Sequence, residues 1–491
     1  MSKGAGRHAP DKVPLEKIDN CMWRIPKYKS GMRVPGVVFA NESLLEKMQT
    51  DRTLWQCTNV AHLPGIYKYA VTLPDGHEGY GFPIGGVAAT DYDEGVISPG
   101  GVGYDINCGV RLLSTSLSAS EVRPRIDQLI NALFHNVPSG LGSEGKIRIS
   151  QKDMNQLMIE GARWAVKRGL GMDEDLDATE EGGCLTGADP SKVSDRAVKR
   201  GMPQAGTLGS GNHFLEIQEV KEIFDTQIAS VMGITDIGQV LVLIHTGSRG
   251  LGHQVCTDHL RTMEQAVASY GIELPDRQLA CAPLESREGH DYLGAMACAA
   301  NYAWANRQCI AHWVRESFCE VLGKSFDRLG MRQIYDVAHN IAKIEEHTVN
   351  GRTVKVCVHR KGATRAFPAG HRDTPKRYQD VGQPVLVPGD MGRCSFVAVG
   401  TQRAMSETFG STCHGAGRIL SRGAAKRSIR GADIVRELGS RGILVKAGSI
   451  SALAEEASQA YKDVAEVIDV VHQAGISRKV AVATPIAVIK G

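Results

Sequence analysis

The chain has 491 residues, 42% of them hydrophobic, and a formal net charge of +3, which allows a large buried core and excludes a globally basic nucleic-acid-binding protein. Any nucleic-acid site must therefore be a local patch. The 12 cysteines are spread along the chain, a pattern typical of reduced intracellular thiols. We find neither the apolar segment of a signal peptide nor a run of ~20 apolar residues, so we expect a cytoplasmic protein without membrane partners.

The first half of the chain predicts short strands, loops and helices. Its first 20 residues are polar and predict a loose segment, so the domain is expected to span residues 21–491. The glycine-rich stretch from Pro64 to Gly109 predicts short strands joined by loops. Helical spacing of apolar residues follows at Glu121–His135 and Met154–Lys167.

The remainder predicts longer elements. The acidic, glycine-tipped segment Asp173–Gly183 predicts an exposed loop, and the apolar run Gln239–His245 is typical of a buried strand. Leu293–Leu322 predicts one or two long helices. Further strands and a last helix are predicted at Gln333–Val337, Thr353–Val358, Pro384–Val387, Phe396–Val399 and Ala452–Val471. This order favours one large mixed α+β domain, with its chemistry at strand ends and in glycine loops.

The first chemical motif is SPGGVGYDINCGVR, which begins at Ser98. Its glycines allow a tight loop in which Asp105 and Cys108, three residues apart, reach one cation. The same fragment also fits a tight turn with a buried cysteine. Taken alone it favours the turn, because one carboxylate and one thiol do not make a metal site.

A second motif, GTLGSGNHFLEI, spans Gly206–Ile217. Its glycines expose backbone N–H groups to an anion, His213 is a candidate metal ligand, and Asn212 can hydrogen-bond a phosphate or a base. The alternative is a helix N-terminus, with Asn212 as the cap and Glu216 in the first turn. The two interpretations are compatible, because caps and ligands share loops.

Two further histidines close apolar, strand-like runs. His245 ends such a run in LVLIHTGSRG and is followed by Ser248 and Arg249, and His339 ends another in YDVAHN. A strand fixes the direction of a ligand at its end. Each histidine alone is explained about as well by a core position with backbone hydrogen bonds.

The last motif, STCHGAGRILSR, places His414 before two glycines that let backbone approach a phosphate closely. Basic residues then recur every four positions at Arg418, Arg422, Lys426 and Arg430, which form one stripe if the segment is helical. Such a stripe is often only a solvated surface. Its position directly after His414 favours contact with phosphate or RNA.

The candidate metal ligands taken together are Asp105, Cys108, His213, His245 and His339. Imidazole suits zinc, iron or nickel, carboxylate admits manganese, and thiolate favours softer ions, so the donor types leave the metal open. The set suffices for one or two ions that share a bridging ligand, as in phosphoryl transfer.

These motifs, in this order, resemble the RtcB family of RNA-splicing ligases. The resemblance rests on DINCGVR, GNHFLE, HTGSRG, AHN and HGAGR, on LPDGHEGYGFPIGG from Leu73, and on the terminal lysine and glycine. It extends from about Cys21 to Gly491. It implies a single domain of packed, mixed β-sheets flanked by helices.

The resemblance also implies a reaction. Members of this family use Mn²⁺ and GTP to join an RNA 3′-phosphate or 2′,3′-cyclic phosphate end to a 5′-hydroxyl end, in tRNA splicing or RNA repair. The reaction passes through a histidine–GMP intermediate and a guanylylated RNA 3′ end. A protein named archease assists some relatives.

Carried over by motif, the resemblance implies roles for single residues. His414 would take GMP from GTP, and Asp75 would orient its imidazole. The five candidate ligands would hold two Mn²⁺ ions with Cys108 as the bridge. RNA contacts are expected from Arg249, Arg418 and Arg422. The guanylate site is expected to comprise Asn212, His213, Phe214, Leu215, Glu216, His339, Asn340, Pro388, Gly389, Asp390, Met391, Ser395, His414, Gly415, Ala416, Gly417, Tyr461 and Lys490.

Two residues depart from the common family strings: Cys413 stands where alanine is common, and Asp390 where a small hydroxyl residue is frequent. A carboxylate at position 390 would either bond the base or weaken phosphate binding. Two other functions compete with ligation. A metal-dependent phosphatase or nuclease would use the same ligands without a guanylylated histidine, and a non-catalytic RNA-binding subunit predicts a broken ligand set.

Overall fold

Two large β-sheets, of seven and eight strands, organise residues 12–491, the part of the chain that the computed structural model describes. The strands are β1 (Glu16–Lys17), β2 (Met22–Ile25), β3 (Gly36–Phe39), β4 (Ala70–His77), β5 (Ile84–Asp91), β6 (Val96–Ile97), β7 (Gly109–Ser118), β8 (Phe214–Ile223), β9 (Gln239–Thr246), β10 (Ala282–Pro283), β11 (Arg332–Ala338), β12 (Asn340–Val349), β13 (Arg352–Lys361), β14 (Ala363–Arg365), β15 (Pro384–Val387), β16 (Ser395–Gly400), β17 (Ser411–Cys413), β18 (Leu444–Ala447) and β19 (Ser477–Lys490).

Both large sheets are mixed. The seven-stranded sheet has the order β1-β2-β3-β4-β5-β13-β12, and its β3 and β4 are parallel. The eight-stranded sheet has the order β11-β7-β9-β8-β19-β16-β15, and β18 pairs in parallel with the end of β19. The chain passes directly from one sheet to the other at His339, between β11 and β12.

Helices pack around the sheets, and together the two layers confirm the predicted mixed α+β fold. The helices are α1 (Glu42–Gln49), α2 (Thr53–Val60), α3 (Ala119–Val122), α4 (Ile126–Asn136), α5 (Gln151–Glu160), α6 (Ala162–Val166), α7 (Asp173–Asp177), α8 (Asp195–Gly201), α9 (Thr226–Val231), α10 (Arg249–Ser269), α11 (Arg287–Leu322), α12 (Phe326–Leu329), α13 (Gln402–Thr408), α14 (Arg422–Ser428), α15 (Gly431–Ser440), α16 (Ile450–Leu453) and α17 (Val464–Gln473).

The longest helix, α11, confirms the prediction made for Leu293–Leu322. The Ser286 side chain caps its N-terminus by accepting from the backbone N–H of Gly289, and Gly323 ends it with a φ of 63°. Alanine-rich faces of α11 pack in the largest core cluster. The strands predicted from Gln239, Gln333, Thr353, Pro384 and Phe396 are confirmed as β9, β11, β13, β15 and β16.

The exposed loop predicted at Asp173–Gly183 is wrong. Residues 173–177 form α7, and the side chains of Asp175 and Glu180 are buried. Two nitrogens of Arg315 each donate to Asp175 at 2.6 Å, and the Lys343 amine lies 2.6 Å from Glu180. The acidic residues are buried because their partners come from distant parts of the chain, which local composition does not reveal.

Three predicted helices are interrupted. Pro124 and the turn around it delay α4 to Ile126, and Gly161, with a φ of 60°, separates α5 from α6. The helix predicted at Ala452–Val471 is interrupted, because extended backbone around Tyr461 separates α16 from α17.

The continuous basic stripe predicted after His414 is also wrong. Helix α14 begins only at Arg422 and ends at Ser428, so Arg418 precedes it and Arg430 follows it. Of the four basic residues, only Arg422 and Lys426 share this helix.

Residues 1–11 of the predicted loose N-terminal segment lie outside the described residues. Within the rest of that segment, Glu16–Lys17 pairs with Trp23–Arg24 of β2. The domain boundary at residue 21 stays a prediction. No helix within residues 12–491 is long and apolar enough to cross a membrane.

Candidate functional site

The five candidate metal ligands meet where four neighbouring strands of the eight-stranded sheet begin or end. Strands β11, β7, β9 and β8 are neighbours, and each is antiparallel to the next. Cys108 and His213 immediately precede β7 and β8, whereas His245 and His339 lie at the far ends of β9 and β11. Because antiparallel neighbours bring the start of one strand beside the end of the next, the sheet register gathers all four side chains.

The donor atoms form two groups that share Cys108. Its Sγ lies 3.3 Å from Nε2 of His245 and 3.5 Å from Nε2 of His213. One group is Cys108, His245 and His339, and the other is Asp105, Cys108 and His213, with the donor atoms of each group within 4.8 Å of one another. This arrangement fits two cations with a bridging thiolate.

Burial sets the protonation of these groups. Burial, followed by the neighbouring His339, lowers the pKa of His245 well below its usual value, and burial has the same effect on the pKa of His339. Burial, followed by the nearby Asp105 carboxylate, raises the pKa of the Cys108 thiol well above its usual value. The imidazoles are therefore neutral and offer lone pairs, while the thiol needs a cation beside it to become a thiolate.

A second layer of side chains fixes the ligand loops. Arg307 of α11 is fully buried and donates at 2.8 Å to the backbone carbonyls of Asn107 and Thr246, the neighbours of Cys108 and His245. Asp336 accepts from the same guanidinium at 2.8 Å. Asn107 has a φ of 51°, a left-handed conformation that needs such support in a non-glycine residue. One buried arginine thus joins two ligand loops.

The pair of His414 and Asp75 stands beside the ligand groups. Asp75 is buried on β4, and its Oδ2 accepts from the His414 backbone N–H at 2.9 Å and from Nδ1 of the imidazole. The His414 ring centroid is 4.9 Å from that of His339. With Nδ1 bonded to the carboxylate, Nε2 is the ring nitrogen that keeps its lone pair.

Gly417 allows this close approach. Its φ is 72°, and a Cβ there would lie 2.2 Å from the carbonyl oxygen of Asp75. Any side chain would push the loop after His414 away from the strand that carries Asp75.

A cavity of about 660 Å³ is lined by the metal-ligand groups and by His414. Most of the residues expected at the guanylate site line it: Asn212, His213, Phe214, His339, Asn340, Pro388, Gly389, Asp390, Met391, His414, Gly415, Ala416, Gly417, Tyr461 and Lys490. The three arginines expected to contact RNA, Arg249, Arg418 and Arg422, also line it. The structure therefore brings nearly all predicted site residues into one cavity.

Three of the expected guanylate residues do not line the cavity. Leu215 packs in the core, because successive side chains of a strand point to opposite faces. Ser395 accepts a hydrogen bond from Gln218 at 3.0 Å. Glu216 is buried, which raises its pKa to about 8, and its Oε1 has no partner among residues 12–491. The helix-cap alternative for Asn212 is wrong, because strand β8 follows it.

Ion pairs and hydrogen bonds connect several further residues that line the cavity. Arg418 donates to Tyr461 Oη at 2.8 Å and lies 3.2 Å from the Glu456 carboxylate. The Lys490 amine lies 3.4 Å from the same carboxylate. Asp390, the unusual carboxylate, accepts from the backbone N–H of Gly392 at 3.0 Å and from the Ser458 hydroxyl. These hydrogen bonds, one from its own loop and one from Ser458, explain how a carboxylate is accommodated there.

Sequence reasoning missed several residues of the site. Glu456 and Arg307 are distant in sequence from every motif, so no local signal marks them. Lys361 ends β13, and burial lowers its pKa to about 7. Tyr80 and Tyr104 line the cavity and lie within two of the quoted motifs. Their position in these motifs could have identified them as site residues.

Comparisons with known proteins identify the family of this chain. A family model described as tRNA-splicing ligase RtcB matches residues 56–491. A protein named tRNA-splicing ligase RtcB from Thermococcus kodakarensis is 58% identical over 98% of this chain and 100% of its own length. Proteins of the same name from Archaeoglobus fulgidus and Pyrobaculum aerophilum are 57% and 53% identical, over 97% and 98% of this chain and 99% of each relative.

Proposed function

This chain belongs to the RtcB family of tRNA-splicing ligases, and from that premise we propose that it joins RNA 3′-phosphate or 2′,3′-cyclic-phosphate ends to 5′-hydroxyl ends with GTP and Mn²⁺. The observation that carries the proposal is the His414 imidazole, bonded through Nδ1 to Asp75 and packed against the ligand His339. A nucleophile beside two metal-ligand groups suits nucleotidyl transfer.

The first step loads guanylate onto the protein. Nε2 of His414 attacks the α-phosphorus of GTP, the bond from that phosphorus to the β-phosphate oxygen breaks, and pyrophosphate leaves. A phosphoramidate forms, and Asp75 stabilises the positive charge that develops on the ring. Two Mn²⁺ ions held by Asp105, Cys108, His213, His245 and His339 would screen phosphate charge and orient the reacting groups.

Two transfers then complete the reaction. An oxygen of the RNA 3′-phosphate attacks the guanylate phosphorus, the nitrogen–phosphorus bond breaks, and His414 is regenerated. The 5′-hydroxyl next attacks the phosphorus of the RNA 3′-phosphate, GMP leaves, and the hydroxyl proton passes to a base. A 2′,3′-cyclic phosphate must first be opened by water to a 3′-phosphate.

The remaining assignments follow the same premise. We assign guanylate binding to the cavity residues described above together with Leu215, Glu216 and Ser395, for which the backbone of β8 and the buried Glu216 carboxylate are the available contacts. RNA binding is assigned to Arg249, Arg418 and Arg422, which present cations to the cavity. The site of action is proposed to be the cytoplasm, and an archease-like activator is a proposed partner.

Labelling with α-³²P-GTP and Mn²⁺, followed by a denaturing gel, tests the proposal. The protein is expected to take up label from GTP and much less from ATP, in an acid-labile, alkali-stable bond. His414→Ala is expected to lose the label, whereas His472→Ala, at an exposed histidine on α17, retains it.

A phosphatase or nuclease built on the same ligands gives a different result. It would release phosphate or cleave RNA in the presence of metal without any labelled protein. An acid-stable adduct, equal labelling by ATP, or full labelling of His414→Ala would contradict the guanylyl-transfer proposal.

A further inference from the structure

Three aromatic rings form a surface on one wall of the cavity, here called the aromatic shelf. Tyr80 comes from the loop between β4 and β5, Tyr104 from the loop before Asp105, and His253 from the first turns of α10. The centroids of Tyr80 and Tyr104 are 5.7 Å apart with the rings edge to face. The rings of Tyr104 and His253 are 6.1 Å apart and stacked, with an interplanar angle of 29°.

The shelf has no polar partner that would explain it as part of the fold. Among residues 12–491, neither tyrosine hydroxyl nor the His253 ring makes a hydrogen bond or an ion pair. The two tyrosines are only half-buried and His253 is exposed. A tyrosine that serves packing alone is usually buried with its hydroxyl bonded. These rings instead present apolar surface and free polar atoms to the cavity.

The position of the shelf relates it to the reacting ends. Tyr104 immediately precedes the candidate ligand Asp105, so the shelf adjoins the metal-ligand groups. Beside the shelf, the exposed Arg200 lines the cavity, bonds Gln254 at 3.0 Å and forms no ion pair within the described residues. An aromatic surface next to an unneutralised cation is the combination that binds single-stranded nucleic acid.

We propose that the aromatic shelf stacks the unpaired terminal nucleobase of an RNA end while that end is joined. The inference rests on the proposed function and adds a base-binding subsite to it. A shelf of rings without a fixed hydrogen-bond pattern reads no base edge, so it holds any terminal base. Stacking at this point would place the terminal ribose and its hydroxyl or phosphate beside Asp105 and Cys108.

The test uses RNA ends with 2-aminopurine, whose fluorescence falls on stacking, at either the 5′-hydroxyl or the 3′-phosphate terminal nucleotide. Binding to the full-length protein with Mn²⁺ is expected to quench at least one of the two probes, and the quenched probe identifies the end. Tyr104→Leu is expected to abolish that quenching and to raise the KM for RNA about tenfold, with a smaller effect on kcat. Tyr104→Phe is expected to retain both properties.

Controls separate stacking from damage to the site. Tyr92→Leu changes a tyrosine on a turn outside the cavity and is expected to leave quenching and KM as in the wild type. If Tyr104→Leu does not fold, Tyr80→Leu and His253→Leu replace it. GTP labelling of the wild-type protein tests the proposed function without RNA, so the two proposals fail separately.

The shelf proposal is overturned if neither probe is quenched by a protein that ligates RNA. It is equally overturned if quenching persists unchanged in the leucine variants, because aromatic faces would then not be the surface that the base contacts.

Discussion

The two walls of the cavity are built on different principles. The part of the lining that carries the candidate metal ligands is here called the metal wall. Its ligands are brought together by the register of the sheet, and buried hydrogen bonds from Arg307 fix their loops. On a second part of the lining, here called the arginine wall, Arg418, Glu456 and Tyr461 come from irregular segments and hold one another by ion pairs and hydrogen bonds. The metal wall is thus held by buried hydrogen bonds to its backbone, and the arginine wall by contacts among the side chains that line the cavity.

This difference predicts which steps of the reaction a substitution on each wall should affect. A change on the metal wall is expected to affect every step that needs a cation, because the ligands cannot readjust. A change on the arginine wall is expected to affect binding of nucleotide or RNA, because its charges already share partners.

Cys108→Ala should have the largest effect. Its thiol belongs to both ligand groups, so its loss should lower GTP labelling and ligation by more than about 100-fold. Labelling with α-³²P-GTP and ligation assays measure this. Cys256→Ala, at another buried free cysteine on α10, is the matched control and should be mild. Full labelling by Cys108→Ala would remove it from the ligand set.

His414→Ala should separate the steps that need a guanylylated histidine from the steps that do not. The variant should neither label with GTP nor join 3′-phosphate ends, because the nucleophile is gone. It should still seal RNA that already carries a 3′-terminal, diphosphate-linked guanosine, although more slowly, since the metal ligands remain. The assay compares His414→Ala with Cys108→Ala on this pre-activated RNA.

Two outcomes would count against the role of His414. Normal joining of unactivated ends by His414→Ala would show that no guanylylated histidine is needed. Equal loss on pre-activated RNA in both variants would leave His414 indistinguishable from a metal ligand.

Arg307→Lys should weaken the metal wall without removing a ligand. A lysine cannot reach the carbonyls of Asn107 and Thr246 together with Asp336, so Mn²⁺ affinity should fall about 10- to 100-fold. Arg315→Lys is the matched control, because Arg315 is also fully buried on α11 and pairs with Asp175 away from the ligands. Both variants should lose about 2 kcal/mol of stability through weakened charge-assisted hydrogen bonds.

Metal titration distinguishes the two arginine variants. If Arg315→Lys weakens Mn²⁺ binding as much as Arg307→Lys does, then Arg307 acts through general stability and not through the ligand loops.

Arg418→Ala should have the smallest effect of the four. It removes a cation that bonds Tyr461 and lies beside Glu456, so RNA should bind about tenfold more weakly through the loss of a charged contact. Ligation kinetics on 3′-phosphate RNA would show this mainly as a raised KM. A fall in Mn²⁺ affinity equal to that in Arg307→Lys would contradict the division between the two walls.

The contrast between the walls also explains which features could be predicted from sequence. Local patterns identified His245 and His339 as the ends of apolar runs, whereas they placed Cys108 and His213 only in glycine-rich loops. That these residues meet follows from the strand order of the sheet, which was not predicted. The family resemblance supplied the set of ligands, which the residues alone left as separate candidates.

Predictions failed where long-range partners decide the structure. Asp175 and Glu180 look like loop residues until Arg315 and Lys343 are seen beside them. The basic stripe after His414 failed because the spacing of arginines does not show where helix α14 begins. Arg307 was not predicted as a site residue, although it lies inside a predicted helix. The residues next to it in sequence do not show whether an arginine is buried or on the surface.

The position of His339 at the crossing between the two sheets has a thermodynamic consequence. A cation bound there would be held by His339, which connects the two sheets, and by Cys108 and His245, which lie at strand ends of the eight-stranded sheet. Unfolding either sheet would then release the ion, so free Mn²⁺ concentration becomes a determinant of global stability. At 100 times its dissociation constant, a single such ion would contribute about 2.7 kcal/mol to the free energy of unfolding.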